Sequence, residues 1–407
     1  MPVLSVPRLC CACASLPGTP GGFVGDGYAR LRWTARTGCR RTPQPPPLPW
    51  LLSGPVPRGA TRWFDGPARE STRWVHVEAL LAPPLVFTGL LAALWTWKCA
   101  MMVIFQNKII YMPGLPPGTR REEIGDYSHD CRGVVWQYER LHSEDGTSLA
   151  IAVASSSPTL SLSQTPETHI YILYFQARGT GSSFAYTMAC VSYRGYWKSS
   201  GRPSENGINM DAVSAWKWAS DTHARLYPSG NSCRTRPVLI LWGQSIGAGF
   251  ATNLAATVAT RGDLAWGTSQ HLLPVHAVIL ETPFLSIRAM LKALYPQKWL
   301  PYRHLWPFLR NQLDSAANLE VIARPNGTSH QPAKFLLVIA EKDELVPRHH
   351  AEELQKRCER LGLPVERHIV RGAYHNEASA RRDGQVAIAN FIRGRAQADQ
   401  AREARES

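Results

Sequence analysis

The chain has 407 residues, and 44% of them are hydrophobic, which is enough for one large core with appendages. Its formal net charge of +14 is uneven, because residues 1–78 hold ten basic residues against four acidic ones. No basic stripe carries interleaved aromatic residues, which argues against a nucleic-acid-binding protein. The nine cysteines show neither zinc-ligand spacing nor a disulfide framework.

The first 75 residues are rich in Pro, Gly and Arg and have no sustained hydrophobic periodicity. This composition predicts a disordered basic leader over residues 1–75. Its Arg-rich, acid-poor start is also compatible with an organelle-targeting sequence.

A long apolar stretch follows the leader. Residues 79–97 carry no charge, and after Lys98 the apolar run continues to Phe105. Nineteen helical residues extend roughly 28 Å, close to the hydrocarbon thickness of a bilayer. We therefore predict a single transmembrane or membrane-associated helix over residues 79–105. The alternative, favoured by Pro83 and Pro84, is a hydrophobic helix that lies on the following domain.

The flanking sequence favours one orientation of this helix. Arginines dominate before the span, which is typical of a cytosolic N-terminus, although Lys98 and later basic residues weaken the bias. The glycosylation sequon at Asn326-Gly327-Thr328 is usable only if the following domain is lumenal. Both observations favour a lumenal orientation of the domain that follows the helix. We expect a single-pass protein in an endomembrane resembling the endoplasmic reticulum.

Strand-like and helix-like segments alternate from residue 106 onward, which predicts an α/β domain over residues 106–395 and a polar tail over residues 396–407. Such alternation is typical of a mostly parallel central sheet with helices on both faces. The predicted strands are 134–141, 148–154, 170–175, 189–193, 238–242, 275–281, 334–340 and 366–370. The predicted helices are 211–220 (with Asp211 as its N-cap), 246–260, 350–361 and 377–392.

One turn in this domain is chemically distinctive. Gly243-Gln244-Ser245-Ile246-Gly247 lies where the apolar strand 238–242 ends and a helix begins. This is the context of a nucleophile elbow, in which glycines let strand and helix cross closely and the serine enters a cleft. The start of the helix provides unpaired N–H groups for an oxyanion. Ser245 is therefore the predicted nucleophile.

A serine hydroxyl needs a base, and the base needs an acid that orients it. Asp343 follows the predicted strand 334–340, and His375 follows the next strand, 366–370. Both residues are therefore expected at the same sheet edge as Ser245, in the chain order serine, acid, histidine. Glu281 and Asp314 remain alternative acids, whereas His349 and His350 lie too near Asp343 and are expected on the surface.

Six segments carry a resemblance to a known family: "FQNKIIYMP" (105–113), "YRGYWKSSGRPSENG" (193–207), "GQSIGAG" (243–249), "ETPFLS" (281–286), "KDELVP" (342–347) and "GAYHNE" (372–377). They resemble the alpha/beta-hydrolase superfamily, in particular its membrane-anchored branch related to fungal bud-emergence-type hydrolases. Relatives in that branch include lysophospholipid and monoacylglycerol hydrolases and protein depalmitoylases. The resemblance implies a Ser245–Asp343–His375 triad. It also implies an oxyanion hole formed by the N–H groups of Ile246 and of the loop after Phe175, for which we assign Ala177.

That loop departs from the family pattern. Gln176-Ala177-Arg178 stands where relatives usually have His-Gly-Asn or Gln-Gly-Asn, and few residues remain for a helix before Ala189. Loss of one oxyanion donor typically costs ~10²–10³-fold in turnover. A catalytically inactive, membrane-tethered interaction protein is therefore one alternative function.

Residues 285–333 form an insertion rich in aromatic residues and prolines, which is typical of a lid that lines an acyl-chain pocket. We assign substrate binding to Trp299, Trp306 and Phe308 of this insertion and to Gln244 beside the serine. The alternative is one helix that covers the sheet, followed by a packed loop.

Taken with a membrane anchor, these residues predict a serine hydrolase that cleaves acyl esters such as monoacylglycerol or a lysophospholipid. The reaction requires no metal and no organic cofactor. The alternative substrate is a protein palmitoyl thioester, which the same residues would hydrolyse. The expected partners are the lipid substrate and the membrane.

Overall fold

The computed structural model describes residues 77–113, 117–127, 134–156, 168–175, 185–228, 235–261, 272–324 and 332–406. The predicted leader and the sequon at Asn326 lie outside these residues. Contacts divide the chain into two units, of which one contains residues 92–407 and the other ends at Leu91.

The apolar stretch forms a helix, α1 (Val77–Ile104), which continues through Pro83 and Pro84. Its 24 residues Leu81–Ile104 are long and apolar enough to cross a membrane by length and composition, and the most apolar part of this span is not buried. A short helix, α2 (Gln106–Tyr111), follows directly.

The domain is organised around one eight-stranded sheet in the order β1-β2-β4-β3-β5-β6-β7-β8. Strands β1 and β2 pair antiparallel to each other, β2 pairs antiparallel to β4, and every pair from β4 to β8 is parallel. This arrangement confirms the predicted mostly parallel sheet. The strands are β1 (Trp136–His142), β2 (Ser148–Ser156), β3 (Thr168–Phe175), β4 (Ala185–Val191), β5 (Arg236–Gln244), β6 (Val275–Glu281), β7 (Lys334–Ala340) and β8 (Val365–Val370).

Both faces of the sheet are buried, as expected of parallel strands covered by helices. Leu239 and Leu241 of β5 belong to one apolar cluster, and Ile240 and Trp242 belong to the cluster on the opposite face. The helices of the domain are α3 (Glu205–Leu226), α4 (Ile246–Arg261), α5 (Ile287–Leu294), α6 (Ser315–Ile322), α7 (His349–Arg360) and α8 (Arg382–Glu406).

Two helix boundaries differ from the sequence-based expectation. Helix α3 begins at Glu205, and its N-cap is Ser204, whose hydroxyl accepts a hydrogen bond from the Gly207 N–H. The predicted N-cap at Asp211 is wrong, because this fully buried carboxylate pairs with Arg194 inside the domain. Helix α8 starts five residues later than predicted and continues to Glu406.

Strand β4 begins at Ala185, four residues before its predicted start. It pairs in parallel with β3, and only residues 176–184 connect the two strands. A connection of nine residues is shorter than the dozen or more that most parallel crossovers need. These residues, including Ala177, lie outside the described part of the chain.

Candidate active site

Ser245 occupies the single position between β5 and α4 and has a φ of +51°. The left-handed region costs a non-glycine residue of order 1–3 kcal/mol, and residues held there cluster at functional sites. The strand before it, the helix after it and this backbone angle together have the geometry of a nucleophile elbow.

Two glycines make this tight turn possible. A Cβ atom at Gly243 would lie 2.1 Å from the carbonyl oxygen of Gly247, and a Cβ atom at Gly247 would lie 2.1 Å from the carbonyl oxygen of Phe175. No side chain fits at either position. The start of α4 therefore packs against the end of β3.

Asp343 and His375 are hydrogen-bonded to each other. The Nδ1 atom of His375 lies 2.9 Å from Oδ1 and 2.8 Å from Oδ2 of Asp343, and both side chains are almost fully buried. The Oδ1 atom of Asp343 also accepts the backbone N–H groups of Leu345 and Val346, at 2.9 Å and 2.8 Å. These two backbone donors fix the position of the carboxyl group, which suits an acid that orients a neighbouring imidazole.

The histidine is fixed by its backbone as well as by its ring. Its N–H donates to the Glu344 carboxylate at 3.0 Å, so adjacent residues of one loop hold both the backbone and the imidazole of His375. With Nδ1–H donated to Asp343, Nε2 is the ring nitrogen that retains a lone pair. No hydrogen bond joins His375 to the Ser245 hydroxyl among the described residues, and catalytic hydrogen bonds are often long or poorly aligned until substrate binds.

Glu281, the last residue of β6, connects the serine turn to the histidine loop. Its carbonyl oxygen accepts the Ser245 N–H at 2.8 Å. Its Oε1 atom accepts both the Ser379 N–H at 2.8 Å and the Gln244 side-chain amide at 3.1 Å. The fully buried Glu281 therefore holds together the two segments that carry Ser245 and His375.

Asp314 and His350 have structural roles outside this cluster. Asp314 caps α6 by accepting the Ala317 N–H at 3.0 Å. His349 is exposed, as expected, but the surface role expected for His350 is wrong. His350 is fully buried, and its Nδ1 atom accepts the Leu285 N–H at 3.2 Å inside the domain.

Of the two predicted oxyanion donors, only Ile246 belongs to the described part of the chain. Ile246 is the first residue of α4, so its N–H has no partner within the helix and points out of the positive end of the helix dipole. Ala177 lies outside the described residues.

The residues assigned to substrate binding lie in different surroundings. Gln244 is buried against Glu281, whereas Trp299, Trp306 and Phe308 are 67%, 42% and 60% exposed. The three aromatic residues belong to the segment that contains helix α5 and two short 3-10 turns, Pro301–His304 and Trp306–Phe308. Their roles in substrate binding stay predictions.

From the sequence, Glu281 was considered only as an alternative catalytic acid, and Glu344 was given no role. The sequence analysis therefore missed the contacts by which both residues position the site. Both residues lie in the segments "ETPFLS" and "KDELVP", close to the predicted catalytic residues. A carboxylate directly next to the predicted acid was the available signal for Glu344.

Comparisons with known proteins identify relatives in sequence. The chain is 34% identical over 167 residues to lysophosphatidylserine lipase ABHD12 of Danio rerio, covering 41% of this chain and 38% of that protein. It is 31% identical over 189 residues to protein ABHD12B of Homo sapiens, covering 46% and 42%. The chain thus spans about two fifths of the length of these relatives.

A longer match is 26% identical over 276 residues, covering 67% of this chain and 84% of an uncharacterized membrane protein of Saccharomyces cerevisiae. Among solved structures, an alpha-beta hydrolase from Vibrio vulnificus is 19% identical with a TM-score of 0.47, covering 71% of this chain and 92% of that one. No protein-family model matches the chain.

Proposed function

Because this chain belongs to the alpha/beta-hydrolase superfamily, we propose that it is a membrane-anchored serine hydrolase that cleaves the acyl esters of lipids. One observation carries the proposal: His375 is hydrogen-bonded to Asp343, and Glu281 connects the loop that carries His375 to the strained Ser245 turn. This is the set of groups that acyl transfer requires, in the order typical of the superfamily.

The reaction has two steps. The Ser245 Oγ atom attacks the acyl carbonyl carbon, and its proton passes to His375 Nε2, while Asp343 stabilises the imidazolium. The negative oxygen of the tetrahedral intermediate accepts the N–H of Ile246, with Ala177 proposed as the second donor. The imidazolium protonates the departing alcohol, and water activated by His375 then releases the fatty acid from Ser245.

The name of one relative supports a proposal for the class of lipid. The protein from Danio rerio is named a lysophosphatidylserine lipase. We therefore favour an ester with a single acyl chain, such as a lysophospholipid or monoacylglycerol. A protein palmitoyl thioester is the second candidate, because the same nucleophile attacks either acyl group.

We propose that α1 anchors the enzyme in a membrane. Its length, its apolar composition and the exposure of its span support this placement, and one relative is named a membrane protein. The predicted lumenal orientation in an endomembrane resembling the endoplasmic reticulum remains part of this proposal.

The test uses full-length protein in phosphatidylcholine vesicles, with a lysophospholipid, a monoacylglycerol and a palmitoyl thioester compared for wild type and Ser245→Ala. The wild type is expected to hydrolyse the single-chain lipid esters fastest, and the variant to lose roughly 10⁴-fold or more of this rate. Faster thioester cleavage would favour the second candidate. Hydrolysis of none of the three would favour the inactive interaction protein, which the short β3–β4 connection makes a specific alternative.

A further inference from the structure

An exposed apolar surface lies next to the C-terminal half of α1. We define the aromatic cap as residues 294–308, in which Leu294, Trp299, Trp306 and Phe308 are all at least two fifths exposed. On α1 itself Leu94, Trp97 and Ile104 are exposed as well. Contiguous exposed apolar surface usually marks a site that another apolar partner covers.

Ring contacts join the aromatic cap to α1 at a defined level of the helix. The rings of Trp95 and Trp299 lie 5.6 Å apart, and the Lys98 ammonium lies 4.4 Å from the centre of the Tyr302 ring. A helix needs about 20 residues to cross a bilayer's hydrocarbon core, so a span that starts at Leu81 ends near Ala100, within a turn or two of Trp95 and Lys98. The cap therefore lies at the level of α1 where tryptophan and lysine are typical of the membrane interface.

A partly buried polar cluster keeps the cap at this level. The Gln106 side chain donates to the Phe308 carbonyl at 3.1 Å and accepts the Arg310 N–H at 2.7 Å. The Arg310 guanidinium donates to the last carbonyl groups of α1, those of Val103 and Ile104, at 3.2 Å and 3.0 Å. Asn311 donates to Asn107 at 2.6 Å, so α1, α2 and the end of the cap are held together by hydrogen bonds.

The charges on these segments have one sign. Residues 287–313 contain five basic residues and no acidic residue, and residues 92–113 contain Lys98 and Lys108 and no acidic residue. The Arg288 guanidinium lies 3.9 Å from the centre of the Trp306 ring, so a basic side chain and an aromatic ring are in contact on this surface. Mixed aromatic and basic surfaces are typical of segments that lie in the headgroup region of anionic membranes.

We propose that the aromatic cap and the C-terminal turns of α1 form one surface that inserts into the headgroup region of a bilayer containing anionic lipids. The inference rests on the proposed function in one respect, since it takes α1 as the membrane anchor. The anchor then does more than tether the domain, because the hydrogen bonds at Gln106 fix the cap against the lipid from which a substrate would enter.

Photo-crosslinking tests this placement in the full-length chain. Benzoylphenylalanine replaces Trp299, Phe308, Leu90 or Glu366 in separate samples in vesicles, and lipid adducts are identified by mass spectrometry. Leu90 reports whether α1 lies in the bilayer. Glu366 is exposed near the start of β8, at the sheet edge opposite the candidate site, and is the control for nonspecific adducts.

Lipid adducts at Trp299, Phe308 and Leu90, but not at Glu366, are expected. Adducts at Leu90 without any at Trp299 or Phe308 would overturn the inference and leave the membrane anchor intact. Absence of adducts at Leu90 would overturn both the inference and the proposed membrane anchor.

A second experiment tests whether anionic lipid is the partner of this surface. Adding phosphatidylglycerol to phosphatidylcholine vesicles is expected to raise the adduct yield at Trp299 several-fold without changing the yield at Leu90. The gain at Trp299 should disappear in 1 M salt, where the screening length falls to about 3 Å. An equal yield at Trp299 with and without the anionic lipid would overturn the assignment of anionic lipid as the partner.

Discussion

Ser245 donates its backbone N–H to the carbonyl oxygen of Glu281 at 2.8 Å, and the carboxylate of the same Glu281 accepts the N–H of Ser379 at 2.8 Å. Ser379 lies four residues after His375. One buried residue on the strand between them thus fixes the distance from the elbow to the histidine loop. This makes Glu281 a positioning residue in the proposed reaction, and Asp343 the acid.

Asp343→Asn and Glu281→Gln form a matched pair that separates these two roles. Asp343→Asn removes the charge that orients His375, so we expect turnover to fall by about 10³–10⁴-fold with little change in KM. Glu281→Gln retains a side-chain oxygen for the Ser379 N–H, so we expect a loss within about tenfold, the worth of one ordinary hydrogen bond. Hydrolysis rates for both variants, with thermal melting as the folding control, decide between them. The reverse ranking would make Glu281 the catalytic acid.

Gly247→Ala tests the close packing under the elbow, with Gly394→Ala as its control. At Gly247 the new methyl group would meet the Phe175 carbonyl oxygen at 2.1 Å, so the backbone must move, and we expect lower melting temperature and lost hydrolysis. Gly394 lies in α8 with nothing near its Cβ position, so alanine should stabilise the protein by about 0.5–1 kcal/mol. Equal melting temperatures for both variants would contradict the packing described at the elbow.

Asp211→Ala tests the buried ion pair that connects α3 to the loop after β4. Its Oδ1 lies 2.6 Å from Nη2 of Arg194, with Asp211 fully buried. Asp211→Ala leaves the buried Arg194 guanidinium with only the more exposed Asp145 as a charged partner, and breaking a buried pair typically costs about 3–5 kcal/mol in the free energy of unfolding. Asp145 pairs with the same arginine but is one-third exposed, so Asp145→Ala should cost only about 1 kcal/mol. Denaturant titration measures both, and a larger loss at Asp145 would refute the ranking.

The buried histidine His169 makes the stability of the fold depend on pH. Burial lowers its pKa to about 4, and its ring nitrogens lie 2.8 Å from the Tyr227 hydroxyl and 2.9 Å from the Thr187 hydroxyl. In the unfolded chain a histidine takes up its proton near a pH of about 6.5. Between these values the unfolded state binds more protons at this histidine, so we expect its contribution to lower the stability as the pH falls from about 6.5 to about 4.

Melting temperatures between pH 7 and pH 4.5 check this dependence. We expect His169→Gln to reduce the decrease, and His142→Gln, at an exposed position of β1, to leave it unchanged. A decrease that is the same in wild type and His169→Gln would show that other groups cause it.

The strands were predictable because parallel strands buried on both faces are unbroken apolar runs. "VLILW" and "KFLLVIA" contain such runs, and they correspond to β5 and β7. The loops that carry Ser245, Asp343 and His375 follow from these strand ends and from chain order alone. Boundaries set by tertiary contacts were not predictable, as at Asp211, where pairing with Arg194 overrides the capping preference of an aspartate.

Hydrogen bonds between residues far apart in the chain were also not predictable from the sequence. Glu281 binds Ser379 across 98 positions of the chain, and Gln106 binds Phe308 across 202. Residue spacing contains no information on which distant backbone group a buried side chain will satisfy. His350 is an example, because nothing in the sequence beside the exposed His349 indicates that its ring accepts the Leu285 N–H inside the domain.

The most direct test of the proposed chemistry is the site of covalent labelling by a fluorophosphonate. This probe forms a stable adduct only with a serine whose hydroxyl is activated by a neighbouring base. Mass spectrometry of the digested full-length protein should find the adduct on Ser245, and Ser245→Ala should take up no label. Label that persists in Ser245→Ala, or that is found on another residue of the wild type, would contradict the assignment of Ser245 as the nucleophile.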